Sequence, residues 1–273
     1  MRGAVRPCAR CDWCRRARAA DHVTRLLVEC LGHVRACLVT LTYATPNLPP
    51  GRSLSRADAR AFLKRFRRAV EWHGGPRGLR IFLVGEYGTL SRRPHYHLIL
   101  WGADHTTVWN GRSVHQLVEQ CWGMGRVDVG TYWSDKAAAY VSGYVTKGCN
   151  LRGKVFPDGR IHEFSIFPKP ALGSAGLSRA VDLLVGDDDP LAVIEATGDL
   201  PGRLDLGGSQ RLARGKLLDM LREHVGVPRH FVPALKERKQ LLALGVDVSV
   251  DASRRRHAEL RLRDLLWGSF SDD

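Results

Sequence analysis

Residues 36–130 switch between two hydrophobic periods, and each switch marks an element. Ala36–Tyr43 (Ala-Cys-Leu-Val-Thr-Leu-Thr-Tyr) is β-branched and aromatic with partial alternation and stops before Pro46 and Pro49, which predicts a strand. Ser55 then stands three residues before Asp58 in an N-cap arrangement. Phe62, Leu63, Phe66, Ala69 and Val70 form one apolar face running to Trp72, so an amphipathic helix follows. Leu79–Tyr87 and His95–Trp101 read as two further strands, joined through Gly88-Thr89-Leu90-Ser91-Arg92-Arg93-Pro94, a segment long enough for a hairpin loop. A helix near Val114–Trp122, a short strand near Gly125–Gly130 and a helix over Ser134–Lys147 complete a β-α-β-β-α-β-α order. That order predicts an α+β fold of the split, ferredoxin-like or RRM-like type, with a central antiparallel sheet flanked by helices.

The flanks are patterned differently. Residues 1–30 are basic and cysteine-rich, and residues 31–185 hold the core just described. Between 181 and 210 seven acidic residues face Arg203 alone. Gly186-Asp187-Asp188-Asp189-Pro190 and Leu206-Gly207-Gly208 punctuate that stretch, so 186–208 reads as an acidic linker or lid. In 209–273, leucines at 212, 217, 218, 221, 235, 241, 242, 260, 262, 265 and 266 predict a C-terminal extension of short helices around Pro228 and Pro233.

Charge narrows the partners. The 273 residues carry 42 Lys and Arg against 28 Asp and Glu, a formal net charge of +14, which favours a phosphate-rich partner. Residues 1–80 concentrate the excess, with 17 basic residues against 5 acidic ones. Arg60, Lys64, Arg67 and Arg68 on the outer side of the first core helix, with Arg92 and Arg93 in the hairpin loop, are candidate phosphate contacts. A charged outer helix face is equally well explained as a solvated surface. Apolar runs such as Ile81–Val84 fall far short of the ~18 residues that would cross a bilayer, and no apolar stretch follows the basic start as a secretory signal would require. A cytoplasmic protein with no membrane partner is expected.

His95-Tyr96-His97 opens a predicted strand, so its two imidazoles point to one face and Tyr96 to the other. Glu86 ends the preceding strand, where a hairpin sets its carboxylate beside both rings. One carboxylate and two imidazoles make a three-point site for a divalent metal with positions left open for a substrate oxygen. Downstream, Tyr140, Tyr144 and Lys147 stand four and then three residues apart on one helical face. A phenol with an ordinary pKa of ~10 needs a metal or a cation nearby to act as a nucleophile, and Lys147 supplies part of such a field. Read alone, the tyrosine pair is also compatible with core packing. Cys8, Cys11 and Cys14 are spaced like half of a structural zinc or iron–sulfur site, with Cys30, Cys37, His22 or His33 as possible fourth ligands. Reduced, metal-free thiols are the competing reading.

Together these residues resemble the HUH endonuclease superfamily. The chain as a whole resembles the replication initiators of small tailless single-stranded DNA bacteriophages, the Microviridae, gokushovirus-like members in particular. The matching elements are Cys8-x-x-Cys11-x-x-Cys14-Arg15, Leu38-Val39-Thr40-Leu41-Thr42-Tyr43, Gly85-Glu86-Tyr87-Gly88, Arg93-Pro94-His95-Tyr96-His97, Ala139-Tyr140-Val141, Tyr144-Val145-Thr146-Lys147 and Val227-Pro228-Arg229-His230-Phe231. They occur in family order over about residues 7–235. The resemblance implies a rolling-circle initiator in the cytoplasm of an infected bacterium. Such an enzyme nicks single-stranded or melted origin DNA, with Mg²⁺ or Mn²⁺ held by Glu86, His95 and His97 and with Tyr140 or Tyr144 attacking. A 5′-phosphotyrosine and a free 3′-hydroxyl would result, the latter for host polymerase and helicase to use before the strands are rejoined. The sequence contains no G-x-x-x-x-G-K-[ST] loop, as suits a transesterification that needs no nucleotide triphosphate. A transposase or plasmid relaxase with the same site, and a non-catalytic single-strand binder, are the alternatives.

Overall fold

The computed structural model describes residues 11–88, 91–130 and 156–227. They divide into two compact units: one within residues 1–184 and 202–221, the other within 185–201 and 222–273.

The first unit opens with α1 (Asp12–Leu31), followed by β1 (Ala36–Thr42), α2 (Arg56–Trp72), β2 (Arg80–Tyr87) and β3 (Pro94–Trp101). A small hairpin, β4 (Val108–Trp109) and β5 (Arg112–Ser113), leads into α3 (Val114–Trp122) and β6 (Val127–Val129). β7 (Phe164–Ile166) and α4 (Leu177–Val185) come next, then the hairpin of β8 (Arg203–Leu206) and β9 (Ser209–Leu212). The main sheet runs β6-β1-β3-β2-β7 with every neighbouring pair antiparallel. Its first four strands therefore lie in the order fourth, first, third, second of a split β-α-β-β-α-β unit. This is the α+β architecture expected from the hydrophobic periods. The further helix expected over 134–147 lies outside the described residues.

Local chemistry sets the element ends. Ser55 caps α2, its hydroxyl accepting from the Asp58 backbone N–H at 3.1 Å. Ser113 and Gln116 form a reciprocal capping box on α3, and Gly123 closes it in the left-handed conformation. Gly125 has no room for a side chain, since a Cβ there would sit 2.2 Å from the Thr42 carbonyl oxygen. This close approach lets β6 pair along β1.

Alternation along the strands separates two cores. Val39, Leu41, Leu83, Tyr96, Leu98 and Leu100 face α2 and α3, where Phe62, Phe66, Leu117 and Trp122 cover them. Phe82, Val84, Ile99 and Trp101 face the opposite way and pack with Leu26 of α1 and with Leu172. The helix α1 was not apparent in the basic N-terminal segment. Ala19, Val23 and Leu26 form its buried stripe, diluted in the sequence by arginines and by Glu29, which is fully buried. β7 was not anticipated either, being only three residues long.

Glu29 ties α1 to the sheet. Its carboxylate forms an ion pair with Arg80 of β2, in which Nη2 donates to Oε2 at 2.8 Å; it also accepts from the Gly173 N–H at 2.7 Å and contacts His33 Nε2 at 3.1 Å. Burial works against the charged form, but the bonds from His33, Arg80 and Gly173 outweigh it and hold the pKa down at about 2. Glu29→Ala strands the Arg80 guanidinium, and a loss of about 3–5 kcal/mol in chemical denaturation is expected. Because the folded pKa lies below the ordinary value of 4.5, the contribution is full above that value and disappears as pH falls toward 2. Glu29→Gln should flatten the acid limb of the stability profile across that interval.

The acidic stretch 186–208 contains structure. Asp189 caps α5 (Pro190–Thr197), accepting from the Leu191 and Ala192 N–H groups, and β8 occupies 203–206. Gly207 and Gly208, both at positive φ, form the β8–β9 turn and leave Leu212 at the end of a strand. α6 (Lys216–His224) then begins at Lys216, so the leucine pattern is helical from 217 and extended at 212. In the second unit Arg222 donates to both Asp199 oxygens, at 3.0 and 2.6 Å, in a buried pair. Among the described residues no helix is long and apolar enough to cross a membrane.

Candidate metal centre

The β2–β3 hairpin pairs Glu86 directly with His95, and His97 follows two residues on, opposite Val84. Directly paired residues share a face, so all three side chains project from the surface that also carries Val84, Ile99 and Trp101. β1 lies on the other side of β3 and sets Thr40 against His97.

The side chains converge on one oxygen. His95 Nε2 stands 2.9 Å and His97 Nε2 3.2 Å from Glu86 Oε1, and the three potential ligand atoms lie within 4.8 Å of one another. Each ring is fixed from behind: His95 Nδ1 lies 3.1 Å from the Arg93 carbonyl oxygen and His97 Nδ1 3.1 Å from Thr40 Oγ1. A carbonyl only accepts, so the proton of His95 belongs on Nδ1. In the neutral ring, Nε2 then presents a bare lone pair toward a carboxylate oxygen. Two electron-rich atoms at that distance need a cation or a proton between them.

Electrostatics agree with a cation site. Burial disfavours Glu86 ionisation, yet the bonds and charges of His95 and His97 prevail and hold its pKa down at about 2. Burial likewise opposes charge on His95, but the bond to Glu86 raises its pKa. Glu86 is 6% exposed and its Oε2 is buried without a hydrogen-bond partner among the described residues. An unsatisfied buried carboxylate oxygen beside two oriented imidazoles fits a divalent ion. The oxygen–nitrogen donor set does not single out one metal.

Comparison with known proteins agrees with this geometry. Residues 36–149, which include the hairpin and all three ligands, match the family model of the replication-associated protein ORF2 family. The chain is 30% identical over 168 residues to the "Replication-associated protein ORF4" of Chlamydia phage 1, covering 53% of this chain and 40% of that protein. It is 27% identical over 152 residues to the "Replication-associated protein VP4" of a Bdellovibrio phage, covering 52% of this chain and 48% of that protein. The chain is a relative of the phage replication-associated proteins. It spans less than half the length of these two curated relatives. No solved structure matches it.

The remaining candidates of this phage-type replication protein are placed unevenly. Tyr140, Tyr144 and Lys147 lie outside the described residues but inside the matched segment. Cys8 is also outside. Cys11 caps α1, its sulfur accepting from the Cys14 N–H at 3.5 Å, and Cys14 is buried. Cys37 belongs to the α2–α3 core, across the sheet from α1, and burial pushes its thiol up to about 12. Arg60, Lys64 and Arg68 are exposed on α2, whereas Arg67 is half-buried. That helix covers the face opposite Glu86, His95 and His97. Arg92 is exposed in the hairpin, and Arg93 donates to the Tyr43 carbonyl at 2.8 Å and to Thr45 Oγ1 at 2.9 Å, at the same sheet end as the histidines. Sequence reading missed Thr40 and the Arg93 carbonyl, the two groups that orient the imidazoles. The Thr-Leu-Thr alternation of β1 puts Thr40 on the right face, but its pairing with His97 depends on the strand order.

Proposed function

We propose that this chain initiates rolling-circle replication of a small phage genome, cutting single-stranded or melted origin DNA by tyrosine transesterification in the cytoplasm of the infected bacterium. The observation carrying the reading is the convergence of His95 and His97 on the buried Glu86 carboxylate, in a relative of phage replication-associated proteins. A divalent ion such as Mg²⁺ or Mn²⁺, when bound by these three residues, would draw charge from the scissile phosphodiester. Glu86 supplies the anionic ligand, while Arg93 and Thr40 hold the imidazole rings so that Nε2 faces the site. The phenolic oxygen of Tyr140 or Tyr144 attacks phosphorus, its bond to phosphorus forming as the bond to the 3′-oxygen breaks. The phenol loses its proton, the departing 3′-oxygen gains one, and Lys147 favours the phenolate. One phosphodiester replaces another, so the linkage can later be reversed to rejoin strands. The 3′-hydroxyl is left for host polymerase, with a host helicase opening the duplex.

Oligonucleotides tiling the genome that encodes the chain, each labelled on the 3′ side of the cut, test this reading. Incubation with Mg²⁺ or Mn²⁺ should yield one labelled protein–DNA adduct that survives denaturing electrophoresis. Binding without any adduct would leave a non-catalytic binder.

The α2 cations make a separable prediction. Arg60, Lys64 and Arg68 line the far side of the sheet from the metal centre, so they can hold phosphates without touching the cut. Changing all three to Gln should weaken binding to specific and random strands alike and flatten the log-affinity against log-salt slope by about 2. Cleavage at saturating DNA should stay unchanged. An unaltered slope would make this face an ordinary solvated helix surface.

A further inference from the structure

Beside the metal centre, the loop after β1 and the tip of the β2–β3 hairpin enclose a cavity of ≈ 190 Å³ lined by Leu48, Arg52, Ser91 and Arg93. Its wall is chemically uneven. Two of the four lining residues are arginines and none is acidic, so the cavity is built for an anion. The Arg93 guanidinium is fixed by its bonds to the Tyr43 carbonyl and Thr45 Oγ1, leaving its remaining N–H groups pre-aimed. Arg52 is exposed, and its side chain has no ion-pair or hydrogen-bond partner among the described residues. Ser91 Oγ accepts from the Arg93 N–H at 3.3 Å, which leaves its own hydroxyl proton to donate. Leu48 is the one apolar wall.

Size and position restrict the anion. The cavity is smaller than the ~300–1,000 Å³ of pockets that enclose a whole small ligand, so it admits a phosphate group and the edge of a sugar. Arg93 joins it to the reaction site through one residue: its side chain lines the cavity while its carbonyl oxygen meets His95 Nδ1 at 3.1 Å. We infer that this cavity takes a backbone phosphate of the DNA strand beside the one that is cut, with Arg52 as a further strand-positioning residue. The inference rests on the proposed cleavage of single strands, and it places the strand on the hairpin end of the sheet. The α2 cations would then meet a different part of the nucleic acid.

The same chemistry would suit free inorganic phosphate, and the experiment separates the two. Binding of a fluorescent 20-nucleotide single strand is followed by anisotropy over a salt series for wild type, Arg52→Gln, Arg52→Lys and Arg203→Gln. The last removes one exposed charge from the distant β8 strand. Circular dichroism confirms that each variant is folded, and adduct formation is scored in parallel. Arg52→Gln should bind about tenfold more weakly than Arg203→Gln, with a salt slope lower by about 0.7, and Arg52→Lys should recover the slope. Equal binding by the two Gln variants overturns the inference. If wild type then still forms the adduct, the proposed cleavage stands without it. Absence of any strand binding by wild type overturns both. Strand affinity lost with Arg52→Gln in a wild type that forms no adduct supports the cavity and rejects the chemistry. Inorganic phosphate titrated at constant ionic strength gives the remaining arm: Arg52-dependent thermal stabilisation by phosphate, with strand binding unchanged, would make the cavity a free-anion site and sink the inference.

Discussion

Alanine at both His95 and His97 should lower strand cleavage by at least about a thousandfold while leaving single-strand affinity nearly intact. Two of three ligands to the proposed ion are removed, and the remaining Glu86 alone cannot hold a divalent ion against water. A thousandfold corresponds to about 4 kcal/mol of transition-state stabilisation, within what loss of a single electrophilic contact can cost. Binding should persist because backbone phosphates are held by cations outside the triad. Metal affinity gives an independent readout: Mn²⁺ titrated calorimetrically should show one site in wild type and none in the double variant. Thr40→Val deletes only the partner of His97 Nδ1, so a milder fall of about 10–100-fold in metal affinity is expected. Wild-type cleavage by the double alanine variant would reject the triad, whatever the metal titration shows.

The triad was legible in the sequence because it depends on two short-range rules. Alternation places His95 and His97 on one face, and a hairpin loop returns Glu86 to the strand position opposite His95. What the sequence left unread depends on strand order and on which face each helix covers. The Thr40–His97 contact spans 57 positions and exists only because β1 enters the sheet beside β3. The arginines of α2 looked like companions of the metal residues, yet the helix packs on Leu41, Tyr96 and Leu98, the side opposite the imidazoles. The helix α1 was obscured for another reason. Its buried stripe is interrupted by Glu29, a charged residue that is stable inside only because Arg80, from a strand 51 positions away, is there to meet it.

Phenylalanine at both Tyr140 and Tyr144 should leave no detectable covalent adduct, whereas each single variant should retain part of it. The chain has 6 tyrosines, and the structure weighs against three of them. Tyr43, Tyr87 and Tyr96 all belong to the core beneath α2 and α3, on the face of the sheet away from Glu86, His95 and His97. Their hydroxyls are already engaged: Tyr43 donates to Asp58 Oδ2 at 2.8 Å, Tyr87 to the Ile161 carbonyl at 2.8 Å and Tyr96 to the Ser55 carbonyl at 2.8 Å. Burial, with the Tyr43 and Asp58 neighbours acting on either side, pushes the Tyr96 phenol up to about 12, and burial with the Tyr96 and Asp58 bonds raises that of Tyr43 further. A phenol held protonated and out of reach is a poor nucleophile. That leaves Tyr132, Tyr140 and Tyr144, and only the last two share a helical face with a lysine one turn on. Substitution by Phe keeps the ring and removes the oxygen, so lost chemistry is separable from lost packing. We favour Tyr140 for the first cut, because the preceding alanines leave room for a strand, with Tyr144 serving the second. Mass spectrometry of the linked peptide decides between them. A phosphotyrosine at Tyr132, or at any of the three buried tyrosines, would overturn the assignment while leaving the metal centre in place.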